Sequence, residues 1–300
     1  MLRAKENKVE IRAKEDSIMK DNLFMKVLND AAEKKIAVGA INTFDYLTSD
    51  SAVNAAKELG VNLIIQTSAA TVEHFGAKKL YDIVDAARRD AGITVALHLD
   101  HCRKTELGKL CVDTGWDAVM MDFSKLPLAE NIAKTREVAD YAHAKGVAIE
   151  GEVGVIFGTE DDVVAAQEQR AGYDETIEFI QGSGVDAIAP AIGTAHGVYK
   201  GVPTLDYDLV ERLGKEPTPI VIHGGTGLSA EQFTRLIALG GRKINISTLV
   251  KNTYLDTIKA LVQSGEKYAP IPFNQKVQDA VTAAIKSHLA VFSGLAKDFV

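Results

Sequence analysis

Gly193-Thr194-Ala195-His196-Gly197-Val198-Tyr199-Lys200 and Ile222-His223-Gly224-Gly225-Thr226-Gly227 each follow a short apolar run, residues 185–190 and 219–222, that reads as a strand. In both, a histidine stands where the strand gives way to a glycine-rich turn. Imidazole binds metals, and glycines let backbone N–H groups close on a phosphate. A metal beside a phosphate cradle, at the ends of neighbouring strands, suits chemistry on a sugar phosphate.

Working outward from these stretches, β-rich runs alternate with amphipathic segments. Strands are expected at 36–42, 61–66, 93–100, 117–122, 147–152, 185–190, 220–223 and 243–246. Helical patterns lie between them at 49–59, 77–91, 129–145, 173–182 and 229–239. Ser49/Asp50 and Ser229, the latter with Gln232 three residues on, read as helix starts. Gly60, Gly92, Gly146 and Gly240 read as stops. Strands alternating with helices imply parallel pairing through right-handed crossovers. Eight such units predict an α/β fold, a closed (β/α)8 TIM barrel in a single domain. A doubly wound open sheet is the alternative, but it usually wants a Gly-rich loop after strand 1, where Asn42-Thr43-Phe44-Asp45 stands. Residues 248–290 read as extra C-terminal helices that close the barrel's last helical position and pack on a partner subunit. The barrel domain is expected over 21–300, behind a charged N-terminal extension at 1–20.

The apolar fraction, 46%, is that of an ordinary globular protein. A net charge of −7 argues against a broad nucleic-acid surface, so an anionic substrate needs local positive charge. No apolar run approaches the roughly 20 residues that cross a bilayer, and no secretory signal pattern opens the chain. Cys102 and Cys111, placed on one helix after strand 3, would lie about 13 Å apart, too far for a disulfide. Reduced thiols and a cytoplasmic location follow.

Active sites of such barrels gather at the C-terminal strand ends. Reading those ends gives Asn42, Ser68, Asp100-His101, Asp122, Glu152, His196, His223 and Asn245, while interior strand positions are expected to be apolar. In Leu97-His98-Leu99-Asp100-His101 the leucines share one face and His98 and Asp100 the other. Asp100 suits acid/base work and His101 suits a metal. With His196 and His223, three nitrogens and an open position fit a catalytic zinc, although spacings of 95 and 27 residues match no short metal signature. Glu152 is an alternative or second-site ligand. His98 reads as support for the site, His143 and His288 as surface residues, and His74 as part of the loop after strand 2. Gly197, Lys200, Gly224, Thr226, Asn245 and Thr248 suit the phosphate site that barrels build from loops 7 and 8.

Six ordered motifs carry a family resemblance: Leu-Asp-His, Met-Asp-x-Ser-x-Leu-Pro (residues 121–127), Glu-x-Glu-x-Gly, His-Gly-x-Tyr-Lys, His-Gly-Gly-Thr-Gly and Asn-x-x-Thr. From about residue 37 to 251 the chain resembles the class II, metal-dependent ketose-bisphosphate aldolases. The resemblance implies His101, His196 and His223 as zinc ligands and Asp100 as the acid/base at the C4 oxygen. It puts Glu152 at an alternate zinc site and Glu160 on a mobile loop that moves the carbon-bound proton. It gives Gly197, Lys200, Gly224, Thr226, Asn245 and Thr248 to the dihydroxyacetone phosphate half, and Asn42 and Ser68 to the pocket lining. A monovalent cation near the phosphate loops and a homodimer or homotetramer are implied by resemblance alone. Three residues depart from the pattern. Phe157 replaces a loop glycine, Ser247 an aspartate beside the substrate hydroxyls, and Lys251 an arginine for the distal phosphate. Ser247 and Lys251 leave the aldehyde half open: fructose, tagatose or another ketose phosphate. A metal-dependent barrel hydrolase would show a His-x-His pair after strand 1, and none is there. A non-catalytic sugar-phosphate sensor on the same fold is the alternative from another class.

Overall fold

The computed structural model describes residues 21–160, 163–165, 169–197, 201, 203–265, 267 and 269–299. The expected charged extension at 1–20 and Lys200 therefore lie outside the described residues. Eight parallel strands close a barrel in the order β1-β11-β10-β8-β5-β4-β3-β2. They are β1 (Val38–Asn42), β2 (Leu63–Ser68), β3 (Val95–Cys102), β4 (Ala118–Met121), β5 (Ala148–Val153), β8 (Ala187–Pro190), β10 (Ile220–Ile222) and β11 (Gly241–Ile246). All eight expected strands are present, and β1 closes the barrel against β11 with Val38 opposite Lys243 and Ala40 opposite Asn245.

Side chains alternate across each strand. The outward set, among them Ile41, Ile65, Leu97, Val119, Ile149, Ile188, Ile222 and Ile244, joins one continuous buried cluster under the helices. These helices are α2 (Tyr46–Leu59), α3 (Ala69–Phe75), α4 (Ala77–Arg88), α5 (Thr105–Thr114), α6 (Leu128–His143), α7 (Tyr173–Ser183), α8 (Tyr207–Leu213) and α9 (Ala230–Ala238). Ser229 caps α9 with Gln232 as expected. The cap of α2 is Asp45, not Ser49 or Asp50: its side chain accepts from the Thr48 backbone, and Thr48 closes a capping box.

The inward set at the barrel floor is small: Val38, Ala40, Ile64, Ala96, Ala118, Ala148, Ala187 and Val221. The room they leave is filled by a helix the sequence reading did not place, α1 (Leu23–Lys34), which inserts Phe24, Val27 and Leu28. Asn22 holds it there, donating from Nδ2 to the carbonyls of Asp117 (2.7 Å) and Gly146 (2.8 Å) while capping α1 through Met25 N. At the other end of the chain are α10 (Thr248–Gln263) and α11 (Pro270–Phe292). α11 lies outside β1, where the absent side chain of Gly39 leaves space for Leu289.

The reduced cysteines stand, but their geometry differs from expectation. Cys102 ends β3 and Cys111 lies in α5; both are free and buried. Burial pushes the Cys102 thiol up to about 11 and raises Cys111 as well, so neither serves as a thiolate. Among the described residues, no helix is long and apolar enough to cross a membrane.

Candidate active site and metal centre

The mouth of the barrel is polar at every strand end except that of β8, whose expected exit His196 lies instead on a separate short strand, and elsewhere the polarity reaches a layer deeper than expected. Gln66, His98, Glu150 and Lys243 point inward from mid-strand and are fully buried, so the expectation of apolar interior positions is overturned. Each stands two residues before a polar strand end, Ser68, Asp100, Glu152 or Asn245. That repeated i, i+2 polarity was the available signal, because residues two apart share a strand face.

His101 reaches the site through a local break in that alternation. Strict alternation would turn it outward with Leu99. Instead its backbone takes φ 45°, and the register between β3 and β4 shifts between Leu99 and Cys102. A bulge with a left-handed non-glycine residue is costly and is typical of functional sites. It puts Asp100 and His101, consecutive residues, on the same side.

His196 arrives differently. It lies in β9 (Ala195–His196), which pairs with β6 (Phe157–Glu160) in a small sheet completed by β7 (Val163–Ala165). Two glycines let this strand sit tightly. A Cβ on Gly158 (φ 113°) would stand 2.2 Å from the His196 carbonyl oxygen, and one on Gly224 (φ 66°) would stand 2.5 Å from that of Ala195. His223 follows β10 directly.

The three imidazoles converge, with ring centroids 4.6 Å apart for His101–His223, 4.9 Å for His101–His196 and 6.0 Å for His196–His223. One nitrogen from each lies within 4.8 Å of the others, and so do one nitrogen of His101 and one carboxylate oxygen each of Asp122 and Glu152. The donor set fits a cation. His101 Nδ1 faces Asp122 Oδ2 at 3.3 Å, and His223 Nε2 faces Glu150 Oε1 at 2.9 Å. The remaining nitrogens, His101 Nε2 and His223 Nδ1, are 2.8 Å apart. A proton on one of these nitrogens makes the contact a hydrogen bond, and a metal ion taking its place would draw on both lone pairs.

Electrostatics divides the carboxylates. Burial favours the neutral form of Asp100, but His101, His223, Lys243 and a hydrogen bond from Asn42 outweigh it and lower its pKa. Burial likewise opposes charge on Asp122, yet its contacts with His101, Arg103 (3.1 Å) and Ser124 hold it far below the usual carboxylate range. Glu152 goes the other way: burial, then the charge of Asp122, pushes it up to about 8. Ser124 Oγ bridges the two, 2.6 Å from Asp122 and 3.0 Å from Glu152. Burial disfavours charge on all three histidines. Asp100, Asp122 and Glu152 nevertheless hold His101 well above its ordinary value, while burial and then His101 hold His196 and His223 well below.

Asp100 is held at both oxygens. Asn42 Nδ2 donates to Oδ2 (2.9 Å) and Asn245 Nδ2 to Oδ1 (3.3 Å); Asn42 in turn accepts from Gln66 (2.6 Å). Ser68 sits beside Asp100 in register, and its hydroxyl caps α3 through Thr71 N. On the far side of the mouth, Thr226 Oγ1 accepts from Leu249 N at the start of α10 (3.4 Å). Ser247 is the N-cap of α10 and Thr248 its first residue, with no side-chain cap hydrogen bond, and the buried Ser247 hydroxyl has no hydrogen-bond partner among the described residues. Gly197 and Gly224 turn the two histidine loops with φ 88° and 66°. Lys251 is in the first turn of α10 and half-buried. Glu160 ends β6, and only its backbone is described. Of the other histidines, His143 pairs with Asp186 (2.8 Å), His74 is exposed on α3 rather than in a loop, and His288 is not a surface residue but is half-buried on Phe299.

A closed (β/α)8 barrel with three converging histidines and buried carboxylates at its mouth is the frame of an enzyme. The family model for class-II fructose-bisphosphate aldolase matches residues 22–297, and the chain belongs to that family. It is thus an aldolase, a carbon–carbon lyase. It is 34% identical over 278 residues to the fructose-bisphosphate aldolase of Geobacillus stearothermophilus, covering 91% of this chain and 96% of that one. Among solved structures it is similar to a Coccidioides immitis chain assigned as a fructose-1,6-bisphosphate aldolase (TM-score 0.85, 28% identity, 91% and 96% of the two chains). It is also similar to the YdjI aldolase of Escherichia coli K12 (TM-score 0.79, 26% identity, 88% and 94%). The family acts on sugar phosphates and is generally metal-dependent.

Proposed function

We propose that this aldolase is metal-dependent and reversibly cleaves a ketose 1-phosphate or 1,6-bisphosphate, of the fructose- or tagatose-bisphosphate type, to dihydroxyacetone phosphate and an aldehyde. The observation that carries this reading is the convergence of His101, His196 and His223 beside Asp100, whose carboxylate favours the ionised form. These histidines would hold zinc or a similar divalent ion, with Glu152 serving an alternate position. Such an ion supplies Lewis acidity at the ketone oxygen and stabilises the charge left as the carbon–carbon bond breaks.

Asp100 takes the C4 hydroxyl proton in cleavage and returns it in condensation. Asn42 and Asn245 hold the carboxylate in place before substrate arrives, so orientation is not paid for during the reaction. Glu160 exchanges the proton at the substrate carbon. Asn42 and Ser68 line the pocket. Gly197, Lys200, Gly224, Thr226, Asn245 and Thr248 hold the dihydroxyacetone phosphate half. The uncapped N-terminus of α10 offers its backbone N–H groups to the phosphate. A monovalent cation would assist these loops in neutralising the phosphate. Ser247 and Lys251 face the aldehyde half and decide which ketose phosphate is used.

Residues 21–300 act as one catalytic domain behind the charged extension at 1–20. The active species is a cytoplasmic homodimer or homotetramer joined through its C-terminal helices, where Leu255, Val262 and Ile271 are 61%, 69% and 82% exposed. The test is release of dihydroxyacetone phosphate from a panel of ketose phosphates, with chelator and with zinc added back. Release abolished by the chelator and restored by zinc is expected. Release that survives complete metal removal overturns the three-histidine site. Zinc binding without turnover on any member supports a sugar-phosphate sensor instead.

A further inference from the structure

Beneath the histidines lies a buried ion pair that the proposed mechanism leaves unused. Glu150 on β5 and Lys243 on β11 are both fully buried inside the barrel, with Oε2 and Nζ 2.9 Å apart. Desolvating such a pair costs several kcal/mol per ion. An apolar pair would fill the same interior space without that cost, as Ala40, Ala189 and Val221 do nearby.

The two ends of the pair are spoken for. Glu150 Oε1 is 2.9 Å from His223 Nε2. A carboxylate only accepts, so the proton of His223 belongs on Nε2. Asn245 Nδ2 is also near that nitrogen, at 3.2 Å, but it is the more distant partner and turns one of its protons to Asp100. With Nε2 protonated, the lone pair of His223 is on Nδ1, the atom 2.8 Å from His101 Nε2 in the donor cluster. Lys243 Nζ meanwhile donates to Asn245 Oδ1 at 2.7 Å, which fixes the amide so that its Nδ2 faces Asp100.

We propose that Glu150 is a positioning residue that fixes His223 in the Nε2–H tautomer with Nδ1 aimed at the metal, and that Lys243 anchors Glu150 and orients Asn245 toward Asp100. The inference rests on the three-histidine metal reading. Partners of this kind behind a metal-bound histidine raise metal affinity about 10- to 100-fold. One buried pair thereby supports both the ligand set and the base.

The experiment measures zinc affinity by competition with a chromophoric chelator, independently of turnover, in wild type, Glu150→Gln and Lys243→Met. The expected result is tight zinc binding by wild type, weakened about 10- to 100-fold in Glu150→Gln. Lys243→Met is expected to lower kcat more than zinc affinity, since it frees Asn245 beside Asp100. In zinc-loaded wild type, long-range ¹H–¹⁵N NMR is expected to show the His223 proton on Nε2, a readout that needs no variant to fold. A proton on Nδ1, or zinc affinity unchanged in a folded Glu150→Gln protein, overturns the positioning role while leaving the metal reading intact. Wild type that binds no zinc overturns both.

Discussion

Asn42 Nδ2 donates to Asp100 Oδ2 over 2.9 Å, joining the ends of β1 and β3 across 58 residues of chain. The opposite carboxylate oxygen is held by Asn245, so the carboxylate can pivot toward neither neighbour. A carboxylate pinned at both oxygens has its direction set by the fold, as the proposed base role requires. Asp100→Ala is expected to lower kcat by about 10²- to 10⁴-fold, the usual range for a general acid/base, while zinc content stays at the wild-type level. Asn42→Ala, which leaves the carboxylate but frees one oxygen, is expected to lose less. Steady-state kinetics beside metal analysis decides it, and near-normal turnover in Asp100→Ala would sink the assignment.

Metal removal tests the cluster through stability. His101, His196 and His223 are almost completely buried, and one donor atom from each lies within 4.8 Å of the others, so a divalent ion among them would tie three separate segments together. A metal that binds only the folded chain stabilises it by about 4 kcal/mol at a thousand times its dissociation constant. Chelation is therefore expected to lower Tm by several degrees, and zinc add-back to restore it. Replacing all three histidines by alanine should remove the response, and a chelator effect that persists there would place the metal elsewhere.

The barrel was legible because its strands repeat one local pattern: an apolar outward row ending in a polar residue, then a helix. The polar exits Asn42, Asp100, Glu152 and Asn245 could be read for the same reason. Three features could not. His101 is legible as a strand-end ligand, but the bulge that turns it to the mouth against the strand's alternation is not. Glu150 and Lys243 face one another from strands 93 residues apart, a pairing set by barrel closure. Phe24 and Leu28 belong to an ordinary amphipathic helix until the inward residues of seven distant strands give them a floor to fill.

The short strand carrying His196 is gripped between two glycines, so its position can be tested without touching an imidazole. Gly224→Ala puts a Cβ 2.5 Å from the Ala195 carbonyl oxygen, at a φ of 66° that costs about 1–2 kcal/mol for a side-chain-bearing residue. Backbone must shift to relieve the contact, and the nearest movable backbone is that of Ala195–His196. Zinc affinity is expected to fall by at least tenfold, more than global stability suggests, because one ligand is displaced. Gly60→Ala is the control: its φ of 67° is equally strained, but nothing lies within 4 Å of the added Cβ and the site is remote. Similar zinc affinities in the two variants would mean that the glycine clamp does not position His196.

The last helix is expected to carry a pH response of its own, apart from the three-histidine cluster. His288 stacks on Phe299 with ring centroids 4.4 Å apart, lies edge-on to Phe292, and donates from Nδ1 to the Ala284 carbonyl at 3.1 Å. Burial lowers its pKa below the ordinary 6.5, and the Ala284 hydrogen bond only partly opposes this. The unfolded chain thus binds this proton more readily than the folded one. The associated stability is fully present above 6.5 and drains as pH falls through that value toward the folded pKa. Urea unfolding of wild type is expected to show lower stability at about pH 5.5 than at about pH 7.5, and His288→Gln to lose measurably less over the same interval. His288→Phe, which keeps a ring against Phe299 and also removes the titration, should flatten the difference to the same extent. Identical pH slopes in all three proteins would show that His288 protonates as easily folded as unfolded, and that its packing on Phe299 leaves it in contact with water.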